Sequence, residues 1–276
     1  MRSFLLFVGI FFLSSFLVSC GKFSKVLKSK DYNYKLKVAD EYYGKKDYRD
    51  AQTLYEELYP IFKGTDKFEE LYYKDAYCFY YMKDYLNAEN FFKGFLEIFP
   101  NSQKAEEVDY MHAYSVYRRA PKVELDQSNT IKAMGMMQTF VNTHPGSARD
   151  SAANKIIDEC REKLEAKEYN AAELYYKIGQ YRAAALGYDQ LLTDYPESQY
   201  SEKYNFDAIK SYYELAQLSV PEKQVERYQK VTTEYQDFAD RFPDSKYLKE
   251  AKQYSDLSQN NIKAINNEQA KTTIER

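Results

Sequence analysis

The sequence predicts an all-α, right-handed solenoid of about five helix pairs, and three features of the 276-residue chain support this prediction. A short joint, made of a bulky residue, proline, any residue and serine, occurs four times. Small and aromatic residues recur at fixed distances before each joint. Only 9 glycines and 7 prolines are present, which is too few for the many turns of a β-sandwich or barrel.

Each joint can end one helix and begin the next. Proline stops a helix because it has no N–H to donate, and it biases the preceding residue away from the α region. The serine two residues later can accept a hydrogen bond from the first turn of the next helix. The joints occupy residues 99–102, 144–147, 195–198 and 242–245.

The residues before each joint follow the small–aromatic pattern of the tetratricopeptide repeat, in which small residues let two helices approach closely. The first helices carry Ala39, Ala76, Ala113, Ala172 and Ala208 at the close-packing position, and the second helices carry Ala51, Ala88, Ala133, Ala184 and Val231. The large apolar residues five before the joint prolines are Phe95, Phe140, Leu191 and Phe238. We expect these side chains to fill the space between repeats.

The elements follow in order along the chain. Repeats 1–3 occupy residues 32–146, and the third carries an insertion at 120–128. Residues 147–265 hold repeats 4 and 5 and a capping helix that ends near residue 261; residues 147–167 begin a long helix, and the fifth repeat has an insertion around Pro221. Residues 266–276 form a polar tail, for which we expect disorder.

The N-terminus indicates export and lipid attachment. Arg2 precedes a continuous apolar run at residues 4–18, which is shorter than the ~20 residues of a transmembrane helix and suits a signal peptide at 1–19. Leu17, Val18, Ser19 and Cys20 are similar to a bacterial lipobox, so we expect a covalent lipid on Cys20 and no other cofactor. An ordinary secretory signal with a chance cysteine is the alternative.

Residues 20–31 are interpreted as a lipidated tether that could reach roughly 35 Å when extended. Its lysines could touch lipid headgroups or could simply be solvated. The net charge of −3 argues against broad nucleic-acid binding, which needs a basic stripe. Cys78 and Cys160 fall in different repeats, so we expect two buried thiols rather than a disulfide.

The first helices also carry a tyrosine four residues after each close-packing alanine. Further tyrosines lie three and seven residues before it in repeats two and three, on the same helical face. We predict that they line a groove for an extended peptide, because tyrosine offers a large ring and a hydroxyl at low entropic cost. Alternatively, they pack against the neighbouring second helix and only their hydroxyls reach water. The groove candidates are Tyr43, Tyr73, Tyr77, Tyr80, Tyr110, Tyr114, Tyr117 and Tyr176.

Catalysis finds little support in the sequence, and we expect neither a catalytic nor a metal site. His144 takes the bulky position before Pro145, and His112 stands alone beside a packing alanine. No zinc-protease, nucleophile-elbow, phosphate-loop or Cys-x-x-Cys motif occurs. The carboxylates are spread as on solvated helix faces.

The whole arrangement resembles the BamD family, the lipoprotein subunits of the outer-membrane β-barrel assembly machine. The resemblance rests on the lipobox, the five repeats with their joints, the insertion with residues 125–128, and above all the stretch 161–184 with its tyrosine pair and Gly179-Gln180-Tyr181 turn. Departures are the many tyrosines, the first joint near Lys63, which lacks its proline, and Val231 in a degenerate fifth repeat.

The resemblance implies a protein on the periplasmic face of the outer membrane, held there by its lipid. The C-terminal repeats would dock on an Omp85-type barrel subunit, and the N-terminal repeats would bind unfolded outer-membrane proteins. The alternative is another cell-envelope tetratricopeptide lipoprotein that serves as an adaptor for peptidoglycan, pilus or secretion machinery. A periplasmic hydrolase is a third class, which the residues do not favour.

Overall fold

The computed structural model describes residues 22–274, with the backbone alone for residues 270–274. Every regular element in this range is a helix, and consecutive helices pack in pairs, so the all-α, tetratricopeptide-like fold is confirmed. The chain divides into two compact units, one ending at Cys160 and the other beginning at Arg161.

The first unit contains helix α1 and three helix pairs, in which each helix from α2 to α7 packs on the next. Helix α8 begins in this unit, and its residues up to Cys160 pack with α7. The helices are α1 (residues 22–27), α2 (Tyr32–Gly44), α3 (Tyr48–Phe62), α4 (Lys67–Tyr81), α5 (Tyr85–Ile98), α6 (Ala105–Tyr117), α7 (Ser128–Thr143) and α8 (Asp150–Lys177).

The second unit contains the remainder of α8 and four further helices. Helix α10 packs on α9 and α11, and α12 packs on α10 and α11. The four helices are α9 (Tyr181–Asp194), α10 (Ser201–Gln217), α11 (Pro221–Arg241) and α12 (Leu248–Ile274). The unbroken α8 agrees with the long helix expected from residue 147 onward.

The small residues occupy the positions that the repeat pattern predicts. All ten close-packing residues, from Ala39 to Val231, expose 2% or less of their surface. The large residues before the joints are equally buried: Phe95, Leu191 and Phe238 expose nothing, and Phe140 exposes 1%. The sequence pattern therefore locates the core of both units.

The four joint serines accept a backbone hydrogen bond from the residue just before the next helix, one residue earlier than expected. Each serine Oγ accepts the backbone N–H two residues later at 2.9–3.0 Å. Each hydroxyl also donates to a glutamate six or seven residues before the close-packing alanine of the preceding first helix, a partner that we did not predict. The pairs are Ser102–Glu69, Ser147–Glu106, Ser198–Glu165 and Ser245–Glu202.

The insertion in the third repeat is a compact loop between α6 and α7. The buried Gln127 side chain donates to the carbonyls of Lys122 and Leu125 at 2.7 and 3.0 Å, which fixes the loop. The insertion around Pro221 takes the form of longer helices and not of a loop, because only residues 218–220 connect α10 and α11. Pro221 starts α11, where its missing N–H costs nothing, so the extra residues lengthen the helices.

Both ends of the described chain differ from expectation. Helix α12 continues to Ile274, so the segment interpreted as a disordered tail is helical, and Ile262 and Ile265 pack against the core of the second unit. Residues 22–27 form α1, with Val26 buried, instead of an extended tether. The signal peptide and Cys20 lie outside the described residues.

The two remaining cysteines are buried, as expected. Cys78 lies in the core around α2, α3 and α4, and Cys160 lies in the core around α6, α7 and α8. Burial raises the pKa of the Cys78 thiol above its ordinary value, so this side chain stays neutral and packs as a small apolar group.

Candidate functional site

The structure gives every candidate groove tyrosine a partly or fully buried position. Tyr77 exposes 7% of its surface and packs edge-on against Phe92, so it belongs to the core of the first unit. The other seven are half-buried. Tyr77 therefore fits the alternative interpretation, in which the ring packs against a second helix. The other seven tyrosines bury only part of their rings.

In the first unit, ring contacts join the candidates of α4 and α6 into one network, which we call the tyrosine face. It runs from Tyr73 through Tyr77 to Tyr80, crosses to Tyr114 at 6.1 Å between ring centroids, and ends on the stacked neighbours of Tyr114. Those neighbours are Tyr110 and Tyr117, at 5.8 and 5.7 Å. Tyr43 of α2 joins the network through Tyr81.

Two glutamates hold hydroxyls of the tyrosine face. Tyr73 and Tyr77 both donate to Glu107 Oε1, at 2.8 and 2.5 Å, and Tyr117 donates to Glu159. Burial, together with the bond to Glu107, raises the pKa of Tyr73 to about 12. The bond to Glu159, together with burial, raises the pKa of Tyr117 to about 12. These hydroxyls therefore remain protonated donors at neutral pH.

Cations cover part of the tyrosine face. The Arg118 guanidinium lies 4.7 Å from the ring centroid of Tyr85 and 5.8 Å from that of Tyr114. Lys104 Nζ lies 5.2 Å from the centroid of Tyr73. A cation over an aromatic face is attracted by the ring quadrupole. The face thus combines apolar rings with charges of both signs, since Glu107 and Glu159 hold its hydroxyls and Glu70 lies 3.0 Å from Lys104 Nζ.

Three tyrosines that the sequence reasoning missed belong to the same network. Tyr48 and Tyr85 contact Tyr43 and Tyr80 edge-on or tilted, each at 5.7 Å, within their own repeats. Tyr81 stacks on Tyr48 at 4.6 Å and leaves 45% of its surface exposed. The sequence does contain a pattern that could have identified Tyr48 and Tyr85. A tyrosine stands three residues before the close-packing residue in four of the five second helices, at Tyr48, Tyr85, Tyr181 and Tyr228.

The candidate of the second unit has different neighbours. Tyr176 contacts Tyr181 at 5.2 Å, and Lys210 Nζ lies 4.6 Å from its ring centroid. Burial raises the pKa of Tyr176 above its ordinary value. Lys203 over Tyr169 and Lys230 over Tyr212 repeat the same cation-on-ring arrangement.

In residues 22–274, no group of three or more histidine, cysteine or carboxylate side chains could hold a metal ion. Burial lowers the pKa of His112, and His144 Nε2 lies 3.0 Å from Asp109 Oδ2 at the joint of residues 144–147. None of the helices in this part of the chain has the length and apolar character needed to cross a membrane.

Comparison with known proteins places the chain in a family. No curated protein matches it significantly. The family model YfiO, described as outer membrane lipoprotein, matches residues 30–227, which is more than two thirds of the chain and extends from before α2 into α11. The chain therefore belongs to this family of outer membrane lipoproteins.

Proposed function

We propose that this protein is a non-catalytic scaffold of the outer-membrane β-barrel assembly machinery, anchored by a lipid on Cys20 at the periplasmic face. It would bind the Omp85-type barrel subunit and unfolded outer-membrane proteins. The observation that carries the proposal is the family match over residues 30–227, which covers nearly all of the five repeats. The tyrosine face supports the choice of an unfolded polypeptide as one of its ligands.

The tyrosine face suits an extended chain with aromatic side chains. An aromatic side chain of the ligand could pack against the edges or faces of these rings, with ring centroids about 4.5–7 Å apart. Each such pair stabilises the complex by about 0.5–1.5 kcal/mol in addition to the burial of apolar surface. Arg118 lies beside the rings and could pair with a carboxylate of the ligand. Because Tyr81 is 45% exposed, the network has an accessible edge.

A peptide titration tests the ligand. The probe is a synthetic 12-residue peptide that alternates aromatic and polar residues and ends in phenylalanine. The variant Tyr80→Ala/Tyr114→Ala should weaken its binding about tenfold or more, since two ring contacts are lost. Tyr77→Ala is a poor choice, because it would leave a cavity beside Phe92.

The matched control is Tyr176→Ala/Tyr212→Ala, which removes two half-buried tyrosines from the second unit. Its affinity for the peptide should stay within twofold of the wild type, and circular dichroism should show unchanged helicity for both variants. Equal affinity of all three proteins would contradict the assignment of the ligand to the tyrosine face.

A second experiment tests the partner. Crosslinking in membranes, followed by purification of the lipidated chain and mass spectrometry, should recover an Omp85-type barrel subunit as the main partner. Recovery of pilus, secretion or peptidoglycan proteins in its place would favour an adaptor role in other envelope machinery. That outcome would leave the family assignment intact and would overturn the assembly function.

A further inference from the structure

A cleft of about 650 Å³ lies beside α1 and α2, at the N-terminal end of the described chain. We call it the lysine cleft, because four of its ten lining residues are lysines and one is acidic. Its lining residues are Lys22, Lys25, Val26, Lys28, Ser29, Tyr34, Val38, Glu41, Tyr42 and Lys45. It lies between the N-terminal segment 22–29 and the first helix of repeat 1, and none of its residues belongs to the tyrosine face.

Packing holds α1 against the first repeat, so the cleft has a defined shape. Val26 exposes 6% of its surface, and Phe23 contacts Tyr42 edge-on at 5.8 Å. The buried Lys35 donates through Nζ to the Leu27 carbonyl at 2.8 Å and to Glu57 at 2.6 Å. A lysine from α2 thus caps the C-terminal end of α1 and ties it to α3.

The charge of the cleft is not neutralised within the described part of the chain. Lys22, Lys25, Lys28 and Lys45 are exposed, and no carboxylate among residues 22–274 lies within 4 Å of their ammonium groups. Other lysines of the first unit have such partners, as Lys74 has in Asp40 at 2.9 Å. One carboxylate, Glu41, lines the cleft, so the cleft carries an excess of positive charge.

The lining fits a phosphate-bearing ligand with an apolar continuation. Ammonium groups bind phosphate oxygens as point charges. The Ser29 Oγ accepts the Asp31 N–H at 3.2 Å, which leaves its own proton available to a ligand oxygen. Val26, Val38 and the Tyr42 ring give the cleft an apolar side.

The position in the chain selects between possible anionic ligands. Lys22 stands two residues after Cys20, so the two Cα atoms cannot be more than about 7 Å apart. A lipid on Cys20 would therefore keep the lysine cleft within reach of the bilayer surface. We propose that the lysine cleft binds the headgroups of anionic phospholipids and so docks repeat 1 on the membrane, an inference that rests on the proposed lipid on Cys20.

Amine labelling tests the proposal on the lipidated, full mature chain. The protein is reconstituted into vesicles of pure phosphatidylcholine or of phosphatidylcholine with 30% phosphatidylglycerol, and acetylation rates of individual lysines are read by mass spectrometry. On the anionic vesicles we expect acetylation about fivefold slower at Lys22, Lys25, Lys28 and Lys45. An anionic surface stabilises a nearby ammonium group by about 1 kcal/mol, which lowers the fraction of reactive neutral amine about fivefold. Exposed Lys122 and Lys249 should react equally on both.

Variants and competitors separate the outcomes. Lys25→Gln/Lys28→Gln should abolish most of the protection at Lys22 and Lys45, whereas the matched variant Lys122→Gln/Lys249→Gln should leave it unchanged. Equal labelling on both vesicles would overturn the proposal, and so would the same protection on phosphatidylcholine with inorganic phosphate, which would identify a free-anion site. Intact mass and flotation report the lipid on Cys20 separately, so failure of anchoring is distinguishable from failure of the cleft.

Discussion

The same repeat position has a different chemical environment in the two units. In the first unit, Tyr80 of α4 contacts a ring of its own repeat and Tyr114 of the next first helix. In the second unit, the equivalent Tyr176 contacts Tyr181 of its own repeat and is covered by Lys210. Both units share the buried small residues that let their helices pack. The helix packing is therefore the same in both units, whereas the side chains around this tyrosine differ.

The difference extends to the residue that precedes the close-packing alanine. Asp75 in α4 is buried among aromatic rings; the Tyr59 hydroxyl donates to one of its oxygens, and the other has no hydrogen-bond partner. Asp207 occupies the same position in α10 and has Lys203 Nζ at 2.6 Å. The fold therefore tolerates an aspartate at this position with or without a cation, and the two cases should respond differently to pH.

The largest effect is expected at Asp75. Burial raises the pKa of its carboxyl to about 8, so the folded chain holds this proton more tightly than the unfolded chain. Its stabilising contribution is fully present below about pH 4 and is lost as the pH rises through 8. Relative to the wild type, Asp75→Asn should therefore become more stable by roughly 3–5 kcal/mol between pH 4 and pH 9, measured by urea unfolding.

Asp207→Asn is the matched control for this measurement. Burial raises the pKa of Asp207 as well, but Lys203 Nζ at 2.6 Å opposes that rise, so Asp207→Asn should gain stability over the wild type between pH 4 and pH 9 by less than Asp75→Asn. A pH-independent difference between Asp75→Asn and the wild type would show that the Asp75 proton does not differ between the folded and unfolded states.

The joints provide a second, smaller contrast. Glu165 exposes 9% of its surface and accepts from both Ser198 and the Tyr204 hydroxyl, whereas Glu106 at the Ser147 joint is 44% exposed in its side chain. Ser198→Ala should cost about 2 kcal/mol and Ser147→Ala about 1 kcal/mol, because both lose the hydrogen bond to the backbone N–H before the helix and only the first leaves a buried carboxylate short of a partner. Thermal unfolding of the two variants measures the difference; a larger loss for Ser147→Ala would reverse the ranking.

The smallest effect concerns the ring contacts themselves. A double-mutant cycle on Tyr80 and Tyr114 should give a coupling of about 0.5–1 kcal/mol that is the same at 0.1 and 1 M salt. A cycle on Tyr176 and Lys210 should give a similar value that falls at high salt, because one partner is charged. If both couplings changed equally with salt, the contrast between a ring–ring contact in the first unit and a cation–ring contact in the second would be contradicted.

Sequence reasoning located the features that depend on local spacing. The joints, the close-packing alanines and the long α8 follow from where proline, serine and small residues stand, because these residues act within one or two helical turns. The Phe99, His144, Tyr195 and Phe242 positions before the joint prolines follow from the same register. Cys20 and the roles of the tyrosine face remain predictions.

The features that the sequence did not yield depend on partners far away along the chain. Ser147 bonds Glu106, 41 residues earlier, and the only sequence signal for this partner is a glutamate that recurs seven residues before the close-packing alanine, at Glu69, Glu106 and Glu165. Helix α1 was missed because its lysines suggested a solvated linker, although Phe23, Val26 and Leu27 have the spacing of an apolar helix face. The end of α12 was missed because polar residues conceal the packing of Ile262 and Ile265.

The joint chemistry has a consequence for how such chains can change in length during evolution. The first helices α4, α6, α8 and α10 each carry such a glutamate. Of these, α6, α8 and α10 are each preceded by a serine that bonds the glutamate of the pair before it. Gain or loss of one whole pair would leave a complete serine–glutamate contact at the new boundary. Duplication and deletion of helix pairs can therefore proceed without inventing a new connection, while the exposed tyrosines and lysines of each copy are left to diverge.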